Sequence, residues 1–287
     1  VALLEAGVVG SLASGNTTGK VSLLQGTKIS RMLGYQSEKV TRAYVEGNRE
    51  GQKWLLTFCD DHGVPVQLRD AVTYASSADQ RSALDRELRA TRAVGLDTRL
   101  VDSLDVPFPQ YGGVVLTDQV QLDPLDVLAA LVEQIRSHGG SVHQRRRVVK
   151  VSYAGDRTVT LEDGTSLRAE HVVLATGSPI LDRGLYFAKL EAQRSYVLSF
   201  EAPDDVIPDA MYLSAGTPSR SVRDAPRNNG RLLLVGGNGH GVGRTSSERV
   251  QVDDLREWTA RHFPGAVETH AWSAQDYRSH DSFPYVG

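Results

Sequence analysis

The apolar run Val1-Ala2-Leu3-Leu4 ends on an acidic residue, Glu5, and that junction restricts the fold more than any other feature of the chain. The four residues are too few and too uniform to alternate, which describes a strand buried on both faces. A carboxylate at the tip of such a strand is costly unless something uses it. Open α/β sheets bind ligands outside the carboxyl ends of their strands. In nucleotide-binding versions an acidic residue there takes the ribose hydroxyls. Glu5 fits that place. The loop that follows is rich in small and hydroxyl residues, and it holds Ser14, Gly15, Thr17, Thr18 and Lys20. Its amides and hydroxyls are good donors to a diphosphate. Read for structure alone, Glu5 simply starts a loop.

A second signal is Val172-Val173-Leu174-Ala175-Thr176-Gly177-Ser178. Residues 171–175 predict a buried parallel strand, and the small residues after it would let a ligand lie against the backbone. The glycine-rich turn G-x-G-x-x-G is absent from the 287 residues. The stretch Val235-Gly236-Gly237-Asn238-Gly239-His240-Gly241-Val242-Gly243 misses its spacing and is expected to be a flexible loop, with His240 exposed in it.

Between these signals the chain alternates helices and strands. Three-to-four spacing from Val40 to Phe58 predicts a helix over 37–62, with close packing at Gly47 and Gly51. A short strand at 72–75 precedes a polar helix over 79–94 ended by Gly95. Strand 114–116 follows a Pro/Gly loop. Asp123 then caps a helix with Pro124 at its first position and a stripe of Leu125, Leu128, Leu131, Val132 and Ile135. Strands are expected near Val142 and over 148–153, then a turn at Ala154-Gly155-Asp156, then a hairpin about Asp163-Gly164. Strands at 194–200, 211–214 and 231–235, a helix over 250–263 and an irregular segment over 271–287 complete the pattern.

Composition narrows the function. The net charge of −3 argues against a nucleic-acid or anionic-membrane role. The dense basic run of Arg145, Arg146, Arg147 and Lys150 is expected to be a solvated strand edge. No apolar stretch approaches the ~18 residues of a membrane helix, and no signal peptide is visible. The single Cys59 excludes an internal disulfide and any multi-cysteine cluster, and suits a cytoplasmic protein. The histidines show no metal-ligand spacing, so no metal site is expected.

Together Glu5, the hydroxyl loop and several later stretches resemble FAD-dependent oxidoreductases of the D-amino-acid oxidase and glycine/sarcosine oxidase superfamily. The nearest resemblance is to bacterial members with a C-terminal Rieske iron–sulfur domain. The stretches are LLEAGVVGSLASGNTTGKVS, YFAKLEAQRSYVLSF, LLLVGGNGHGVG and WSAQDYRSHDSFPYVG, in the family's order. The resemblance implies non-covalent FAD. Glu5 and Ala6 would lie at the adenosine ribose. Ser14, Gly15, Thr17, Thr18 and Lys20 would line the diphosphate and approach the flavin. Val148 would contact adenine through its backbone, and Ala175, Thr176 and Gly177 would pass near the ADP moiety. Where many family amine oxidases carry an Arg-Pro after the tryptophan, this chain has Asp276 and Tyr277. Arg194, Tyr196, Tyr212 and His240 are then the candidates facing a substrate, with Arg194 and Tyr196 sharing one strand face. No catalytic acid or base is identifiable. The resemblance also implies a first strand and glycine turn upstream of Val1 and a closing segment after Gly287. The chain is therefore expected to lack both and to bind FAD poorly alone, and any [2Fe-2S] cluster belongs to a domain outside it.

The expected fold is α/β, with a Rossmann-like FAD-binding domain (1–45, 119–180 and 276–287) interleaved with a mixed-sheet α+β substrate domain (46–118 and 181–275). The expected function is hydride transfer from a small substrate, an amine or amino-acid-like C–N bond, to flavin, with electrons passing to oxygen or an iron–sulfur domain. Two alternatives stand beside it: a non-catalytic flavin-fold binding or assembly protein, and an NAD-dependent dehydrogenase using the same ribose acid.

Overall fold

The computed structural model describes residues 1–152, 157–178, 180, 184–227, 230–245 and 247–285. Strand β1 (Ala2–Leu4) leads into a one-turn helix α1 (Ala13–Asn16) and strand β2 (Lys20–Val21). Helices α2 (Lys28–Leu33) and α3 (Glu38–Asp61) precede β3 (Val66–Tyr74), α4 (Arg81–Ala93), β4 (Arg99–Val101) and β5 (Gly113–Leu122). Then come α5 (Pro124–Ser137), β6 (Ser141–His143), β7 (Val148–Val151), β8 (Thr158–Leu161) and β9 (Ser166–Arg168). The rest is β10 (Leu190–Glu201), β11 (Ala210–Ser214), β12 (Arg220–Arg227), β13 (Gly230–Gly241), α6 (Glu248–His262) and β14 (Val267–Ser279).

Local chemistry starts the long helices where the sequence predicts. The Ser37 side chain accepts from the Val40 N–H at the head of α3. The Asp123 carboxylate accepts from the Leu125 N–H at 2.9 Å, with Pro124 in the first turn of α5. Each satisfies a donor that a helix N-terminus leaves free.

The strands form three sheets among the described residues. β1 pairs in parallel with β6, from Ala2↔Ser141 to Leu4↔His143. A nine-stranded sheet runs β14-β10-β13-β12-β11-β3-β5-β2, with β4 also on β5. Its neighbours are antiparallel except β11 and β3. β7, β8 and β9 make a third, antiparallel sheet.

Apolar side chains fill both faces of the large sheet. On one face Val72, Tyr196, Leu198, Val222, Leu233 and Val235 pack against Leu255 and Phe263 at α6. On the other, Ala71, Val114, Leu116 and Met211 meet Ile29, Met32, Val45 and Leu84 from α2, α3 and α4. Beside the first of these cores lies an ion pair whose carboxylate is buried. Arg69 grips the Asp224 carboxylate with Nε at 3.0 Å and Nη2 at 2.7 Å, and Gln121 adds a bond at 2.8 Å. Burial alone would raise that carboxyl, but the bonds from Arg69 and Gln121 hold it below its ordinary value.

Four expectations are corrected. Residues 171–175 form no strand. Val173 is 88% exposed and Leu174 41%, and no backbone ladder bond joins them to a described neighbour. An apolar run becomes a strand only where another strand pairs with it. The glycine-rich stretch after Val235 is no loop: β13 continues through it to Gly241, paired with β10 and β12. His240 is therefore half-buried, whereas His143 and His171 are exposed. The segment expected to be irregular carries the long strand β14, paired along β10. Gly47 and Gly51 face open space, where a Cβ would meet nothing within 4 Å, so close packing does not explain them. The basic run of Arg145, Arg146, Arg147 and Lys150 is exposed, as expected. The predicted turn at Ala154-Gly155-Asp156 lies outside the described residues. No described helix is long and apolar enough to cross a membrane.

Candidate functional site

Glu5 follows β1 directly, half-buried. Its N–H donates to the His143 carbonyl at 2.9 Å, and its own carbonyl accepts from the Arg146 N–H at 2.8 Å. The carboxylate accepts the Gly7 N–H through Oε1 at 2.7 Å. The other oxygen has no described hydrogen-bond partner and is available to hydroxyl donors.

The loop beyond Glu5 is fastened at several points. The Arg145 N–H donates to the Gly7 carbonyl, and the Val9 N–H to Gln144 Oε1, both at 2.7 Å. Gly10 has φ +83°, and a Cβ on Gly15 would fall 1.9 Å from the Gly10 carbonyl oxygen, so these two turns approach as only glycine allows. Ala6, Ser14 and Thr17 are exposed and Thr18 is half-buried, so the hydroxyls line the outer rim.

The loop ends against the large sheet. Trp272 on β14 donates its indole N–H to the Asn16 carbonyl at 2.9 Å. Lys20 on β2 places Nζ against Ser221 Oγ of β12 and 3.4 Å from the Tyr212 carbonyl. Burial, then the nearby Arg223, pulls the Lys20 ammonium down to about 7. Strand register explains why these anchors coincide. Trp272 pairs with Val197, Val197 with Gly236 and Gly236 with Ser221, one row across four strands. Val222 points into the α6 core, so alternation puts its neighbour Ser221 on the opposite face. The loop that begins at Glu5 is thus joined to this row at two points, Asn16 to Trp272 and Lys20 to Ser221.

The other predicted residues are placed elsewhere. Tyr196 belongs to the α6 core, and its hydroxyl meets His240 Nε2 at 3.0 Å. Arg194 pairs with Glu248 at the start of α6, at 3.2 Å. Burial, with Glu248 beside it, raises the Tyr196 phenol. Tyr212 packs edge-on to Tyr74 and Phe108 in the same core. Arg194, Tyr196 and His240 therefore form one cluster on the sheet face opposite Lys20, and only the Tyr212 backbone reaches Lys20. Val148 is half-buried on β7 opposite Leu161, close in sequence to the Arg145 and Arg146 amides that hold the loop. Ala175, Thr176 and Gly177 are exposed, and the Thr176 hydroxyl donates to the Ser178 carbonyl at 2.8 Å. Sequence reasoning missed Ser221, Gly236 and the buried Arg223. Nothing local marks them, since their role comes from register across distant strands. No group of three or more His, Cys, Asp or Glu able to hold a metal exists among the described residues.

The donor set fits a dinucleotide: a half-buried carboxylate with a free oxygen for a diol, a glycine-tight loop rimmed by hydroxyls, and a cation at its end.

Comparison with known proteins agrees with that geometry. The family model described as FAD dependent oxidoreductase (DAO) matches residues 1–287. A Bacillus subtilis (strain 168) protein named as a Rieske 2Fe-2S iron–sulfur protein, YhfW, is 25% identical over 290 residues, covering all of this chain and 57% of that protein. The chain thus spans little more than half the length of that curated relative. Among solved structures, glycine oxidase from Geobacillus kaustophilus superposes with a TM-score of 0.75 at 18% identity, covering 100% of this chain and 78% of that one. L-Proline dehydrogenase from P. horikoshii gives 0.74 at 12% identity, over 100% and 77%. These likenesses confirm the α/β fold with its mixed sheet.

Proposed function

We propose that this chain, which belongs to the DAO family of FAD-dependent oxidoreductases, forms the flavin-holding body of an enzyme that oxidises a small amine or amino-acid-like substrate. The observation that carries the reading is the loop that runs from the Glu5 carboxylate to the face of the large sheet, fastened there through Asn16 to Trp272 and Lys20 to Ser221. Glu5 accepts hydrogen bonds from the adenosine ribose. Ser14, Thr17 and Thr18 with the loop amides face the diphosphate, and Gly15 lets it approach the backbone. Lys20, held against Ser221, sets a titratable amine where the loop meets the sheet, one that a neighbouring diphosphate would hold protonated. Bound there, FAD supplies the acceptor for a hydride from a substrate C–H bond. The chain's own part is to bind, orient and exclude water. The substrate class follows that of two structural neighbours, glycine oxidase and L-proline dehydrogenase.

The same reading divides the chain into a cofactor part (1–45, 119–180 and 276–287) and a substrate part (46–118 and 181–275). It favours a cytoplasmic protein whose electrons pass to oxygen or to an iron–sulfur domain, the latter suggested by the relative's Rieske name.

The test is the visible spectrum of the full-length protein after incubation with FAD and desalting. Retained flavin bands that bleach on anaerobic addition of an amine or amino acid are expected. Glu5→Ala should weaken FAD affinity about tenfold or more, since it removes hydrogen bonds to a charged acceptor. A protein that retains no flavin under any of these conditions overturns the reading.

A further inference from the structure

A second cavity opens on the α6 side of the large sheet, away from the Lys20 surface. Its volume is about 770 Å³, and its rim carries Asp70, Asp105, Asp118, Asp205 and Asp209. Its floor is apolar, from Val106, Ile207, Pro208 and Ala210. The Arg69 guanidinium in the wall is already committed to Asp224. Asp209 pairs with Arg231, and Asp70 reaches Arg99 only at 4.0 Å. Asp105 and Asp205 form no ion pair with a described residue.

Tyr212 supplies an independent observation. Its side chain lines the cavity, the residue is only 8% exposed, and its hydroxyl has no described hydrogen-bond partner. Tyr212 lines the cavity together with Asp70, Asp105 and Asp209, and burial, followed by those carboxylates, pushes its phenol up to about 12. The phenol oxygen, which no described residue bonds, can accept a hydrogen bond from a cationic ligand in the cavity.

We infer that this cavity is a binding site for an aliphatic amine cation, a di- or polyamine whose ammonium groups meet the aspartate rim and the Tyr212 hydroxyl while its methylenes cover the apolar floor. The volume suits an organic molecule. A bare metal ion does not fit, because no three carboxylates converge closely enough to ligate one among the described residues. General attraction does not account for such binding either, since the whole chain carries a net charge of only −3. The site is independent of the flavin reading.

Calorimetric titration with spermidine at physiological salt tests this, with magnesium chloride as the control. One saturable spermidine site without a magnesium counterpart is expected. Asp105→Asn with Asp205→Asn, both on the exposed rim, should weaken binding about fivefold or more. Tyr212→Phe, which keeps the ring packing, should weaken it about threefold or more. No saturable binding, equal displacement by magnesium, or unchanged affinity in folded variants overturns the inference.

Discussion

The nine-stranded sheet and the β1–β6 pair are built from the same kinds of residue and end in opposite states. Leu233 and Val235 in the large sheet are wholly buried, with strands on both sides. Val1 to Leu3 and the apolar residues 171–175 are as hydrophobic, yet Leu3 is 36% and Val173 88% exposed. β1 has one strand partner and residues 171–175 have none among those described. Composition states what a segment prefers to bury, and neighbours decide whether it does. The large sheet therefore holds the packing energy, while the β1 end is held by a few backbone and side-chain bonds around Glu5 and Lys20.

The strongest way to break this comparison is at the ion pair inside the large sheet. Asp224→Ala strands the Arg69 charge and should cost about 3–5 kcal/mol, read as a lowered urea midpoint. Because the Asp224 carboxyl is held below its ordinary value, its contribution is present above the normal carboxylate range and fades as pH falls through the folded value. Next comes a matched pair of truncations. Leu233→Ala should cost about 2–5 kcal/mol by leaving a cavity, whereas Leu3→Ala should cost less than about 1 kcal/mol. Equal losses in chemical denaturation would refute the contrast between the two regions.

Lys20 sits at the seam, and its effect depends on pH. Its folded value is about 7 against an ordinary 10.5, so the unfolded chain binds the extra proton between those limits. The penalty is full below about pH 7 and is relieved as pH rises toward 10.5. Lys20→Met should therefore stabilise the apo chain by on the order of 1–3 kcal/mol near pH 6 and change little near pH 10. The smallest effect belongs to Gly51→Ala on α3. With nothing near the added methyl, it should raise stability by about 0.5–1 kcal/mol, visible as a higher thermal midpoint.

Elements governed by local chemistry were legible in the sequence. Ser37 and Asp123 announce their helices, Asp163-Gly164 its hairpin, and Glu5 its strand tip. Elements governed by partners were not. The register that sets Ser221 beneath Lys20 is fixed by strands far apart in the chain, and β14 shows a poor alternation because it gains its order from β10. The glycines after Val235 look like loop breakers, but Gly237 is demanded by crowding from the Ser219 carbonyl, 2.1 Å from where a Cβ would fall. Arg194, Tyr196 and His240 were legible as a cluster, though not the face on which they lie.

The bond between Trp272 and Asn16 has an optical consequence. Of the three tryptophans, Trp54 stacks on Phe58 and Trp258 packs beside Phe108 and Phe263. Trp272 alone is hydrogen-bonded to the loop that leads from Glu5 to Lys20. Indole emission overlaps the absorption of an isoalloxazine ring, so a flavin settling on this surface would drain the Trp272 emission by energy transfer. Trp272, tied to that loop, would then serve as a built-in fluorescent reporter of the proposed flavin site.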